Sequence, residues 1–221
     1  MKKQAGFTLI ELAIVLVIIG LLLGGVLRGQ ELIANARVKN FARDFQNVQV
    51  FLFGYQDRFR ALPGDDISAA THLDAAIAAT AGNGNGQIDG AWDAAAGTTE
   101  SGFFWQHVRA AGFAPGGVSN AEAFGSNANG ARLGIQSLNA TFTTIVGGPA
   151  PAMRGTFVAC STGIAGREAL QIDTQTDDGN PEAGNVRIRL AGVPGAAGGA
   201  PATQAAVTAA PGAAHTVCMA F

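Results

Sequence analysis

Glu11 is the residue of this chain whose setting most clearly calls for chemistry. It lies in an otherwise apolar run, residues 7–27, in which Thr8 is the only other polar side chain. A carboxylate at depth in hydrocarbon is costly unless it finds a partner, so an acid in such a place marks a function with an opposite charge to be identified. The chain offers a cation of its own, because a cut after Gly6 would leave a new α-amino group on Phe7. A neighbouring copy displaced lengthwise would bring that amine against Glu11 and turn an expensive charge into a register-setting contact.

Three further sets of residues could carry chemistry. Asn83, Asn85 and Asp89 alternate with glycine in the run 82–90, as hard oxygen ligands of calcium do when they must converge without steric hindrance. Against an EF-hand, Ile88 stands where glycine is required and Ala94 where the bidentate acid belongs, so Asp93, Glu100 or the turn 177–179 would have to complete a site. The alternative is that Asn-Gly steps supply positive-φ turns and nothing more. Cys160 and Cys218 are the only cysteines, and a disulfide closing a loop of about 59 residues, worth about 4 kcal/mol by chain entropy, is expected in preference to two separate buried thiols. His72, His107 and His215 are scattered, with neither metal-ligand spacing nor a nucleophile elbow nearby, and no catalytic residue is assigned. Asp65 and Asp66 read as caps of a following helix, and Asp173, Asp177 and Asp178 as flanks of a turn between strands.

The elements that position these residues follow from periodicity. Residues 7–27 number 21, enough to span a hydrocarbon core of about 30 Å as a helix. Beyond Arg28 the helical period continues: Ala34, Val38, Phe41, Phe45, Val48, Leu52, Tyr55 and Phe59 recur at spacings of four and three. One helix of roughly 80 Å over residues 7–59 results, half apolar all round and half amphipathic. Its bulky aromatics suit packing under a sheet better than a coiled-coil seam. Leu62-Pro63-Gly64 ends it.

The amino terminus carries a family resemblance. Gly6-Phe7-Thr8-Leu9-Ile10-Glu11-Leu12, after a leader with Lys2 and Lys3 and before the long apolar helix, resembles the cleavage and methylation motif of type IV prepilins and type II secretion pseudopilins. The resemblance implies cleavage between Gly6 and Phe7 by a prepilin peptidase, methylation of the Phe7 amine, pairing of Glu11 with the amino terminus of an adjacent subunit, and assembly into a filament. It further implies other pilin or pseudopilin subunits, an inner-membrane assembly platform and membrane lipid as partners, with a separate ATPase as the energy source. Major pilins usually carry a kinking proline where this chain has Arg28, which favours a minor pilin or pseudopilin.

The expected organisation is a leader at 1–6, a transmembrane and filament-core helix at 7–27, an amphipathic continuation at 28–61 and one periplasmic head at 62–221. The expected fold is α+β and pilin-like, the long helix packed on a small antiparallel sheet, with the chain single-pass in the inner membrane. Within the head, helices are expected at 67–80 and at 103–111, the latter capped by Ser101. Strands are expected at 154–161, 169–173, 186–191 and 216–221, with a further candidate at 142–146. The Gly-, Ala- and Pro-rich stretch 192–214 reads as a mobile loop with too few large apolar groups to pack. Loss of the leader takes the basic count from 14 to 12 against 16 acids and the formal charge from −2 to −4, which argues against nucleic acid as a partner. No cofactor is required for the subunit, with calcium as the one candidate. The rival from another class is a membrane-tethered binding module, such as a calcium-dependent adhesin, that never polymerises.

Overall fold

The computed structural model of the chain describes residues 9–74, 77, 79–94, 97–119, 124–138, 153–190 and 201–221. Two compact units divide between Arg37 and Val38. Helix α1, Leu9–Phe59, contributes to both. In the first unit its large apolar side chains, from Leu9 to Leu27, are exposed, and by length and composition the helix is able to cross a membrane. Arg28 and Glu31 pair at 3.0 Å on its exposed surface.

The second unit is built on the stripe that the periodicity predicts. Val38, Phe41, Phe45, Val48, Leu52 and Tyr55 are all buried. Arg60 stops the helix by adopting a left-handed conformation, φ 58°, immediately ahead of Pro63 and Gly64. Two short helices follow, α2 at Ala69–His72 and α3 at Glu100–Ala110. A five-stranded antiparallel sheet completes the core: β1 Gly125–Ser126, β2 Arg132–Ser137, β3 Phe157–Ala165, β4 Val186–Arg189 and β5 Ala214–Ala220, in the order β1-β2-β3-β5-β4. Helix α4, Gly166–Thr176, lies between β3 and β4, and α5, Gln204–Ala209, between β4 and β5. The architecture is α+β, with a long apolar amino-terminal helix and a small antiparallel sheet, as expected of a pilin-like chain.

Strand periodicity divides the apolar residues between two clusters. Phe157 and Ala159 of β3 join the main cluster with Phe41, Phe45 and Leu52 of α1 and with Phe104 and Val108 of α3. Their neighbours Val158 and Cys160 join Trp92, Met153, Cys218 and Ala220 in a second.

Several expectations need correction. Residues 169–173 are helical, not extended. Glu168, Ala169, Ile172 and Asp173 are buried at helical spacing, and a five-residue window is too short to separate that period from alternation. The helix expected at 67–80 contracts to Ala69–His72, because Leu73 turns extended with φ −104° and ψ 169°. Ser101 does not cap α3; Thr99 holds that position, while Ser101 lies in the first turn and donates from Oγ to the Ala91 carbonyl at 2.8 Å. The stretch expected to be a mobile loop contains α5 from Gln204, with Thr203 Oγ1 accepting from Ala206 N at 3.1 Å and with Val207 and Ala202 fully or nearly buried. Residues 191–200 and the candidate strand 142–146 lie outside the described residues. Strand β2 was absent from the expectations. Gly134 masks it in the sequence and is required in the structure, where any side chain would meet the Trp92 carbonyl.

Candidate functional site

Glu11 occupies the first turn of α1, while Gly6 and Phe7 lie outside the described residues. The 9–27 segment that follows presents apolar side chains on every face, which suits lipid or other such helices and no aqueous surface.

The Asn-Gly loop is anchored by carboxylates on the neighbouring elements. Asp65 accepts from Asn85 N at 2.9 Å and from Gly86 N at 2.7 Å. Glu100, at the start of α3, accepts from Asn83 N at 2.8 Å and Asp89 N at 2.9 Å. Burial raises the Glu100 carboxyl, the two N–H groups offset part of that, and the charges of Asp65 and Asp89 add to it. Within the loop Asn83 Oδ1 accepts from Asn85 N and Asn85 Oδ1 from Gln87 N, each as a local Asx turn. Both side-chain amides then donate to Asp89 Oδ2, at 3.0 and 2.8 Å. Gly84 and Gly86 take positive φ, 74° and 82°. In this geometry the oxygens of Asn83 and Asn85 serve the loop's own backbone.

A second polar network closes the carboxyl end of α1. Asp66 Oδ2 accepts from Tyr55 Oη at 2.7 Å and pairs with His72 Nδ1 at 2.7 Å, while Oδ1 accepts from Ser68 N at 2.9 Å. Burial opposes the Asp66 charge, yet the bonds to His72, Tyr55 and Ser68 together hold its carboxyl below the ordinary range. Burial and the bond to Asp66 push the Tyr55 phenol up. His107, stacked on Tyr55, accepts from Gly64 N at Nδ1, which places its proton on Nε2 for donation to the Thr80 carbonyl. Each polar atom of this network serves structure. Asp66 does hold the start of α2, as read from the sequence, but Asp65 serves the Asn-Gly loop instead. His215 stands apart on β5, within 2.7 Å of the Ala213 carbonyl.

Cys160 and Cys218 face each other in the register of β3 and β5 and are joined by a disulfide, Cα atoms 4.1 Å apart. Both sulfurs are buried beside Trp92.

A cluster that the sequence hid lies at the end of α4. Asp173, Asp177 and Asp178 bring one carboxylate oxygen each to within 4.8 Å of one another, the one such acidic group among the described residues. Asp173 is fully buried, and neither of its oxygens has a hydrogen-bond partner. Burial first, then the charges of Asp178 and Asp177, push it up to about 7, with the nearby Gly179 N–H acting in the opposite direction. Asp177 Oδ2 accepts from Asn185 N and Val186 N, stapling the end of α4 to the start of β4, and Asp178 Oδ1 accepts from Asn180 N at 2.9 Å. The four-residue spacing of Asp173 and Asp177 was the available signal, and reading 169–173 as a strand concealed it.

No curated protein matches the chain. Residues 1–27 match the family model of the prokaryotic N-terminal methylation motif, the prepilin signal of type IV pilins and pseudopilins. That motif implies processing by prepilin peptidase and association with other pilin subunits. With the exposed apolar helix behind it and the small antiparallel sheet, the motif makes the chain similar to type IV pilin-like proteins.

Proposed function

We propose that the protein is a minor pilin or pseudopilin of a type IV pilus or type II secretion system, cleaved between Gly6 and Phe7 and assembled through the apolar part of α1. The observation that carries this reading is the methylation motif at residues 1–27 running into a helix whose apolar side chains are exposed on all sides. In a filament those side chains pack on the same helices of other subunits; before assembly they lie in lipid. The Phe7 amine neutralises Glu11 of a neighbour, so that charge pairing fixes the axial register while apolar packing supplies adhesion. On this reading the chain is anchored in the inner membrane with residues 62–221 in the periplasm, where the disulfide between Cys160 and Cys218 is at home. The assembly platform of the inner membrane is the remaining partner, and Arg28 at the position of the usual proline favours the minor role.

Calcium held by Asn83, Asn85 and Asp89 has little support, since the two Asn side-chain oxygens are already engaged by backbone N–H groups. The test of assembly is Glu11→Ala. A filament subunit loses incorporation into sheared or cross-linked filaments while its thermal melting is unchanged; a tethered module that never polymerises shows no difference. Retained incorporation of the variant contradicts the reading.

A further inference from the structure

We infer that Asp173, Asp177 and Asp178 form a binding site for one oxygen-preferring divalent cation, calcium above magnesium, which clamps the end of α4 to the start of β4. Asp173 is the decisive residue. A fully buried carboxylate with both oxygens unpartnered is rare in a folded protein, because each such oxygen carries a desolvation cost that a hydrogen bond or a cation ordinarily offsets.

Its surroundings sharpen the need. The last turn of α4 holds no basic residue, so three acids gather at the negative end of a helix, where a cation is the favoured occupant. Arg187, buried and in the field of Asp177 and Asp178, sets one cation against three acids and leaves the acids in excess. The donor set consists of carboxylate oxygens, which select calcium, magnesium or manganese over the metals that prefer sulfur or imidazole. A spread within 4.8 Å suits two oxygens on opposite sides of an ion with bonds of about 2.4 Å, as calcium makes, and is wide for magnesium at about 2.1 Å.

The local backbone is shaped to leave this room. Gly184, at φ 68°, lies against the Asp177 carboxylate so closely that any side chain there would collide with it, and Gly179 takes φ 76° in the turn after Asp178. The oxygens of Asp177 and Asp178 that already accept backbone N–H groups fix both side chains, which leaves the second oxygen of each for the ion. Asp178 is exposed, so an ion enters from solvent and keeps water on that side.

The test uses the full chain in detergent micelles, stripped with chelator and titrated with calcium chloride or magnesium chloride, read by calorimetry and by thermal melting. Affinity is expected at about 10⁻⁴ to 10⁻³ M for calcium, as in weak exported sites, and several-fold weaker for magnesium. At ten times the dissociation constant the melting temperature should rise by about 3–6 °C. Asp178→Ala, a change at an exposed position that spares the fold, should abolish both the heat and the shift, whereas Asp89→Asn in the Asn-Gly loop should leave them intact. Absence of a calcium-dependent shift in the wild-type chain overturns the site. So does a shift that survives Asp178→Ala, or one that Asp89→Asn removes. Should Asp173→Asn melt higher than wild type in chelator and in calcium alike, the cluster is merely a strained group of acids and the proposal fails.

Discussion

Reduction of the Cys160–Cys218 bridge should weaken the second unit far more than the loss of one contact. The bridge spans a sequence separation of 58, and closing a loop of that size in the unfolded chain is worth about 4 kcal/mol in the chain-entropy treatment. The loop contains α4, β4 and α5, so what the bridge constrains is one whole strand of the head's sheet and both helices on the β3 to β5 path. For a chain of this size about 2–4 °C of melting temperature accompany each kcal/mol, which gives an expected fall of about 8–16 °C. The assay is thermal melting of the full chain in micelles followed by near-ultraviolet dichroism and tryptophan fluorescence, with and without reductant. Trp92 packs in the same cluster as both sulfurs and reports the site directly, whereas helical dichroism would be dominated by α1. Cys160→Ala with Cys218→Ala supplies the same comparison without reductant. A fall of less than about 3 °C, with both thiols shown to be reduced, would mean that the ladder between β3 and β5 holds the loop unaided and would refute the entropy reasoning.

Other outcomes are fixed by the polar groups of the head. Glu100→Ala leaves the N–H groups of Asn83 and Asp89 without their acceptor and should cost about 2–6 kcal/mol, with Glu100→Gln intermediate; chemical denaturation reads both, and a loss under about 1 kcal/mol would show that water replaces the carboxylate. His107 is held neutral by burial, and protonation at Nδ1 would oppose it to the Gly64 N–H. Its folded pKa is lowered, so the unfolded chain binds the extra proton first: the stability it contributes is complete above about 6.5 and is lost as the pH falls below that value, by at most about 1.4 kcal/mol per pH unit. His107→Gln should flatten that limb of the stability profile, and an imidazole that titrates normally in the folded chain, by nuclear magnetic resonance, contradicts the assignment. Gly134→Ala should destabilise by about 1–3 kcal/mol, since the new methyl meets the Trp92 carbonyl within the sheet; an unchanged melting temperature would show that the Trp92 segment yields freely.

What could be read from the sequence depended on how long each pattern ran. The stripe from Val38 to Tyr55 repeats at threes and fours over five turns, and every member is buried. The motif from Gly6 to Leu12 needs no tertiary context, because it is a signal read by an enzyme. By contrast α4 buries Gly166, Glu168, Ala169, Ile172 and Asp173, of which only Ala169 and Ile172 are apolar side chains, and so short a pattern mimics a strand. Helix α5 places one buried Val207 among alanines, and composition alone cannot separate that from a linker. Strand β2 is interrupted by the glycine that the close approach of Trp92 demands. The acidic cluster was hidden for a related reason: it joins a helix end to a turn, and it becomes visible only once Asp173 and Asp177 are placed one helical turn apart.

The most direct test of the central claim is the mass and amino-terminal sequence of the mature protein recovered from cell envelopes or sheared filaments. A chain beginning with N-methylated Phe7, and a full-length unmethylated precursor when Gly6 is replaced by a bulky residue, is the predicted result. A mature chain that retains Met1, or one cut beyond Leu27, would contradict it.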